Sequence, residues 1–143
     1  MREQSATPRV LALRPLAADW FGAFGAVLQS DTPGFVPLLH QPQAAGWLAA
    51  INTVVDRCAT TLHRHPDTHE CFVAWNGRTV LLVAPAHAPE QVSATLLDAP
   101  VCIAPQVWHT LLAPSGFAQV FICENATVTG VSHRLAMPIT ARP

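Results

Sequence analysis

The chain has 143 residues, half of them hydrophobic and 12% charged, with a formal net charge of −1. That length and apolar content are those of a single-domain globular protein that buries a core without disulfides, and they exclude a disordered chain. All eight basic residues are Arg, spread along the chain, and no apolar run approaches the roughly 20 residues needed to span a bilayer, so neither nucleic acid nor a membrane is expected as a partner.

The N-terminus mixes charge into its apolar run and does not read as a secretion signal, so a cytoplasmic location is expected. RVLALRPLAADWFGAFGAVL predicts strand, short helix, strand, with the helix near residues 17–24 and its stop at Gly25. Residues 31–46, DTPGFVPLLHQPQAAG, predict a loop punctuated by Pro and Gly. From Trp47 the segments WLAAINTVV, CATTLHRH, ECFVAW, RTVLLVAP, VSATLLD, VCIAP, VWHTLLA, FAQVFICEN and VTGVSHRL are short and rich in β-branched or aromatic residues. Turn residues separate them. Asn76-Gly77 predicts a two-residue hairpin that sets ECFVAW antiparallel to RTVLLVAP. Cys58, Cys71, Cys102 and Cys123 lie in apolar runs without a CxxC and are expected as small core residues in a reducing compartment. Many short strands with almost no helix predict an all-β sandwich or barrel.

Within TLHRHPDTHECFVAWNG, strand alternation puts His63 and His65 on one face and Leu62 and Arg64 on the other. If that face points inward and Glu70 points the same way after the bend at residues 65–68, three ligand-type side chains converge. In VCIAPQVWHT, Val107, His109 and Leu111 share a face, and an inward His109 completes three imidazoles and a carboxylate. Such a set suits a divalent transition metal, Zn, Fe, Ni, Cu or Mn. One carboxylate neutralises one charge of the ion, which favours a small anionic substrate. The competing reading is a polar patch on a solvent-facing strand.

HRHPDTHECFVAWNG has the order His, one residue, His, four residues, Glu, six residues, Gly, which resembles the first motif of the cupin superfamily. PQVWH resembles its second motif, one residue short between Pro and His. The resemblance implies a single-domain cupin-type β-barrel, a double-stranded antiparallel jelly roll with a short N-terminal helix, its core barrel over about residues 47–135, and metal held by His63, His65, Glu70 and His109. Three segments also resemble the ureidoglycolate lyase (ureidoglycolate hydrolase) family: VLALRPLAADWFGAFGAVLQS, RHPDTHECFVAWNGRTVLLVAPA and VCIAPQVWHTLLAPSGFAQVFICEN. Where that family has Glu before Arg-His-Pro this chain has His63, and where it has two histidines after Trp this chain has His109-Thr110.

That second resemblance implies cleavage of a C–N bond in ureidoglycolate, or a similar hydroxy acid, to glyoxylate and urea. His69, or water activated at the metal, is then the candidate general base, although alternation sets His69 opposite Glu70 and it reads equally as a rim residue. Arg57 shares the parity of His63 and, pointing inward, would bind a substrate carboxylate; Asp56-Arg57 reads equally as a turn. Phe72 and Trp108 read as substrate-cavity wall or core. Other cupin chemistry on a small acid, an oxygenase for example, and a binding cupin without turnover fit the same ligands. High apolar content and cupin habit together predict a homodimer.

Overall fold

A computed structural model of the chain describes residues 6–142. Its elements are β1 (Arg9–Arg14), the helix α1 (Ala18–Phe21), β2 (Gly25–Val27), β3 (Trp47–Val54), β4 (Ala59–Arg64), β5 (Glu70–Asn76), β6 (Val80–Ala84), β7 (Ser93–Leu96), β8 (Val101–Ile103), β9 (Trp108–Leu112), β10 (Ala118–Asn125) and β11 (Val131–Arg142). Six strands close a barrel in the order β1-β11-β4-β9-β6-β7, and five form a second sheet in the order β2-β8-β5-β10-β3. The fold is thus all-β as expected, a closed barrel with a second sheet beside it and the short helix in place. Pairing is antiparallel except for β1, which runs parallel to both β11 and β7 and so closes the barrel. Strands therefore join the sheets from both sides of residues 47–135. Among the described residues no helix is long and apolar enough to cross a membrane.

The helix is a single turn, shorter than residues 17–24. Ala17 offers no side-chain cap, and after Phe21 the chain turns into β2. Its value to the fold is Phe21, fully buried in the layer between the sheets. Gly25 has to be glycine for close approach: a Cβ there would lie 1.9 Å from the Cys102 carbonyl oxygen across the β2–β8 pair.

Two cores lie on either side of the closed barrel's wall. One fills the barrel itself, from Leu62, Val80, Leu82, Ala84, Trp108, Leu112 and Ile139 among others. The other fills the space between barrel and second sheet, with Phe72, Leu81, Val83, Val101, Ile103, Val120 and Ile122. β6 serves both, its even positions facing one core and its odd positions the other, so every residue of VLLVA is buried.

This double burial overturns the predicted Asn76-Gly77 hairpin. β5 pairs with β8 and β10, while β6 pairs with β7 and β9 in the other sheet. Gly77 does take the left-handed conformation, φ +76°, and a Cβ there would meet the Phe117 carbonyl at 2.9 Å. The turn carries the chain from one sheet to the other instead of folding it back. A strand apolar on both faces needs neighbours that bury both, and the alternating β5 cannot supply them.

Candidate metal centre

The ends of β4 and β10, the start of β5, and β9 meet at one rim of the layer between the sheets. In β4 and β9 even positions such as Leu62, Trp108 and Leu112 enter the barrel core, so odd positions face the second sheet. Alternation therefore sends His65, just past β4, and His109 toward Glu70 on β5. The Nε2 atoms of His65 and His109 lie 3.0 and 2.9 Å from the same oxygen, Oε2 of Glu70. One ligand atom from each of the three residues falls within 4.8 Å of the others. Glu70 is 7% and His109 6% exposed.

The hydrogen-bond pattern behind the rings decides what this cluster can hold. His65 Nδ1 lies 3.1 Å from the Thr129 carbonyl, and His109 Nδ1 lies 2.9 Å from the Val107 carbonyl. A carbonyl only accepts, so each Nδ1 carries the hydrogen and donates it. In a neutral imidazole that leaves a lone pair on Nε2. Two lone pairs then converge on a carboxylate oxygen, which also only accepts. Added protons or a metal ion must supply the missing positive charge, and a backbone carbonyl behind each ring is the usual support of a metal-ligating histidine. Gln106 adds alignment: its N–H donates to the His65 carbonyl at 2.9 Å, holding the turn before β9 against the end of β4. It does so in the left-handed region, φ +71°, where a residue with a side chain is strained.

Sequence reasoning missed Glu124. It stands directly across from Glu70 in the β5–β10 register, and its Oε2 lies 3.9 Å from His65 Nε2. That oxygen is buried without a hydrogen-bond partner. Like charges opposed across a sheet are unfavourable unless a cation separates them. Burial, and then the Glu70 charge, push the Glu124 carboxyl above the ordinary carboxylate range. The signal was present in FAQVFICEN: Val120 and Ile122 point inward, so Glu124 two positions on carries a carboxylate into an apolar face.

His63 does not join the three. It is the register partner of His109, but it is exposed, and its Nδ1 shares a 3.0 Å hydrogen bond with Ser132 Oγ. It lines the mouth of a cleft of about 420 Å³ whose floor is His65, Glu70, His109 and Glu124. Partial burial against the cleft wall, then the neighbouring His109 and His65, push its pKa down.

Three further expectations are corrected by position. His69 opens onto a different, outer cleft with Cys71 and Cys123, because alternation from Glu70 turns it to the opposite face of the sheet. Arg57 sits in the turn between β3 and β4, where Nη2 donates to the Ser115 carbonyl at 3.0 Å, so the guanidinium braces a loop. Trp108 faces the barrel core, its Nε1 donating to the Ala86 carbonyl at 3.2 Å and its ring lying 4.4 Å under Arg64. Of the three residues expected to touch substrate, Phe72 alone lines the cleft.

Glu124→Gln gives opposite outcomes in metal-free and metal-loaded protein. A carboxyl with a raised folded pKa contributes stability below its unfolded pKa and loses it as pH rises through the folded value. With chelator present, the variant is expected to be more stable than the wild type at pH 8 by about 1 kcal/mol, the scale of an unsatisfied buried group, with the gap closing toward pH 4. With metal present the order should reverse. Urea unfolding at both pH values reads this, and an unchanged gap would remove Glu124 from the site.

No protein-family model matches the chain, and no curated protein does. Among solved structures it is similar to a dTDP sugar isomerase from Desulfovibrio desulfuricans, at 17% identity and a TM-score of 0.43, over 82% of this chain and 73% of that one.

Proposed function

We propose that this chain is a metal-dependent cupin enzyme that cleaves a small 2-hydroxy acid carrying a nitrogen leaving group, ureidoglycolate first, to glyoxylate and urea. The observation that carries the metal reading is the convergence of two Nε2 lone pairs on the Glu70 carboxylate, each ring held from behind by a backbone carbonyl. The resemblance in RHPDTHECFVAWNGRTVLLVAPA supports the substrate class. So does the cleft: none of its lining residues is Arg or Lys, which disfavours multiply charged substrates and leaves one carboxylate to be met by the metal and the imidazoles.

His65, Glu70 and His109 would hold the ion, with Glu124 beside them. A bound divalent ion supplies positive charge that draws in the carboxylate and the neighbouring hydroxyl and makes the hydroxyl proton easier to remove. His63 stands at the cleft mouth and is kept in its neutral form by its surroundings, so it accepts that proton. The carbonyl of glyoxylate forms as the C–N bond breaks, and His63 returns the proton to the departing urea nitrogen. Phe72, Leu111 and Ile122 form the apolar wall that limits water.

The test is glyoxylate release from ureidoglycolate with Zn, Ni, Mn and Fe supplied in turn. His63→Ala should keep its metal and lose about 100-fold or more in turnover, the scale of a general base. No glyoxylate with any metal would overturn the lyase reading. A second reading is favoured by the ligand types: two histidines and one carboxylate suit non-haem Fe(II) oxygen chemistry. Iron-dependent oxygen uptake with a small acid, without glyoxylate release, would select it.

We also propose a homodimer, and what supports it is a set of apolar side chains, Ile51, Val55, Trp75 and Phe117, 47–70% exposed on and beside the edge strand β3 of the second sheet. Elution as a monomer at micromolar concentration would contradict it.

A further inference from the structure

Three of the four cysteines stand in one row across the second sheet. Cys102 on β8 is directly opposite Cys71 on β5, and Cys71 is directly opposite Cys123 on β10. Ala26 on β2 and Ala49 on β3 complete the row. Residues opposed in this way share a face, and this face is the one turned away from Glu70, Phe72 and Glu124. Directly opposed antiparallel residues have Cα atoms about 4.5–5.5 Å apart, within the about 4.4–6.8 Å that a disulfide spans. As direct register partners on one face, the Cys71 and Cys102 side chains stand side by side, and the Cys102 thiol makes only a long contact, 4.0 Å, to the Ile103 carbonyl. Cys71 and Cys123 are half-buried and line a cleft of about 210 Å³ beneath the segment around Leu39 to Trp47, while Cys102 behind them is 1% exposed. All four cysteines are free thiols. The core role expected from sequence thus suits Cys102 and does not account for a reachable thiol set against a buried one.

We propose that this row is a peroxide-oxidisable site, in which Cys71 is the reacting thiol and Cys102 the thiol that resolves it into a reversible disulfide. In the first step the Cys71 sulfur attacks one oxygen of a hydroperoxide. An S–O bond forms, the O–O bond breaks, and the other oxygen leaves as water or an alcohol with the proton of the Cys71 thiol, giving a sulfenic acid. In the second step the Cys102 sulfur attacks the Cys71 sulfur. The S–S bond forms, the S–O bond breaks, and the hydroxyl leaves as water with the Cys102 proton. Two thiols are oxidised by two electrons in all, and one peroxide is reduced. The site lies on the face of the sheet opposite the metal centre and needs no metal.

The test uses full-length, reduced protein stripped of metal by chelation, so its outcome does not depend on the metal reading. After hydrogen peroxide, the protein is denatured, alkylated and weighed, and chymotryptic peptides locate any link. Two of the four thiols should become unavailable to alkylation, with Cys71 joined to Cys102 and both recovered by dithiothreitol. Cys71→Ser should leave its three remaining thiols alkylatable after the same treatment. Cys58→Ser, remote from the row, should still form the link. Four free thiols in the wild type, oxidation beyond the sulfenic stage without a link, or a disulfide that omits Cys71 would each overturn the proposal.

Discussion

Purified wild-type protein is expected to hold about one divalent transition metal per chain, His109→Ala none, and His63→Ala nearly the wild-type amount. The separation follows from geometry. His109 Nε2 is 2.9 Å from Glu70 Oε2, its ring is fixed by the Val107 carbonyl, and it is almost fully buried. Its loss removes a donor that no neighbour can replace, so affinity should fall by more than the about 10–100-fold typical of losing a supporting hydrogen bond. His63 is exposed, and its Nδ1 is engaged by Ser132. Glu70→Ala should match His109→Ala, since both imidazoles face its carboxylate. Mass spectrometric metal content of untagged protein reads all four samples. Loss of metal from His63→Ala as complete as from His109→Ala would restore the three-histidine set that spacing alone predicts. An apo wild type that takes up no metal would mean that protons hold the cluster together. Acid–base chemistry between Glu70 and the two rings would then be its function.

Much of this was legible in the sequence, and the failures have a common cause. Strand parity set His65, Glu70 and His109 on converging faces, and Arg64 and Trp108 on the other side. Parity fixes a face, but not how far along a strand a side chain sits from its neighbours. His63 and His65 share a face, yet only His65 reaches Glu70, because β4 ends at Arg64 and the following bend brings His65 over the rim. Glu124 lay some fifty residues away and needed the β5–β10 register, which no local pattern specifies. Asn76-Gly77 specified a turn, and a turn is there, with Gly77 in the left-handed conformation. What it could not specify was which strand β6 would join. That followed from VLLVA being apolar on both faces, a demand only a strand between two cores satisfies.

Phe72→Ala should destabilise the metal-free protein by about 3–5 kcal/mol, lowering Tm by about 10 °C, whereas Phe72→Leu should cost about 1 kcal/mol. The sequence left Phe72 as either core or substrate-cavity wall, and the structure gives it both surfaces. It is 2% exposed, belongs to the core between the sheets, and lines the cleft. Its ring centroid lies 5.7 Å from that of His109, so it packs against a proposed ligand. Truncation to Ala removes contacts on the core side and opens space beside the His109 ring. Leu refills most of that volume. Metal affinity should therefore follow the same order as stability, wild type above Leu above Ala, with no change in ligand number. Thermal and urea unfolding in chelator, beside metal titration of the three proteins, measure the two quantities separately. A Phe72→Ala cost under about 1 kcal/mol would mean that the ring is held loosely and swings into the cleft, which would make it a substrate contact first. A large stability loss with unchanged metal affinity would mean that the backbone carbonyl behind His109 fixes the ring without help from its apolar neighbour.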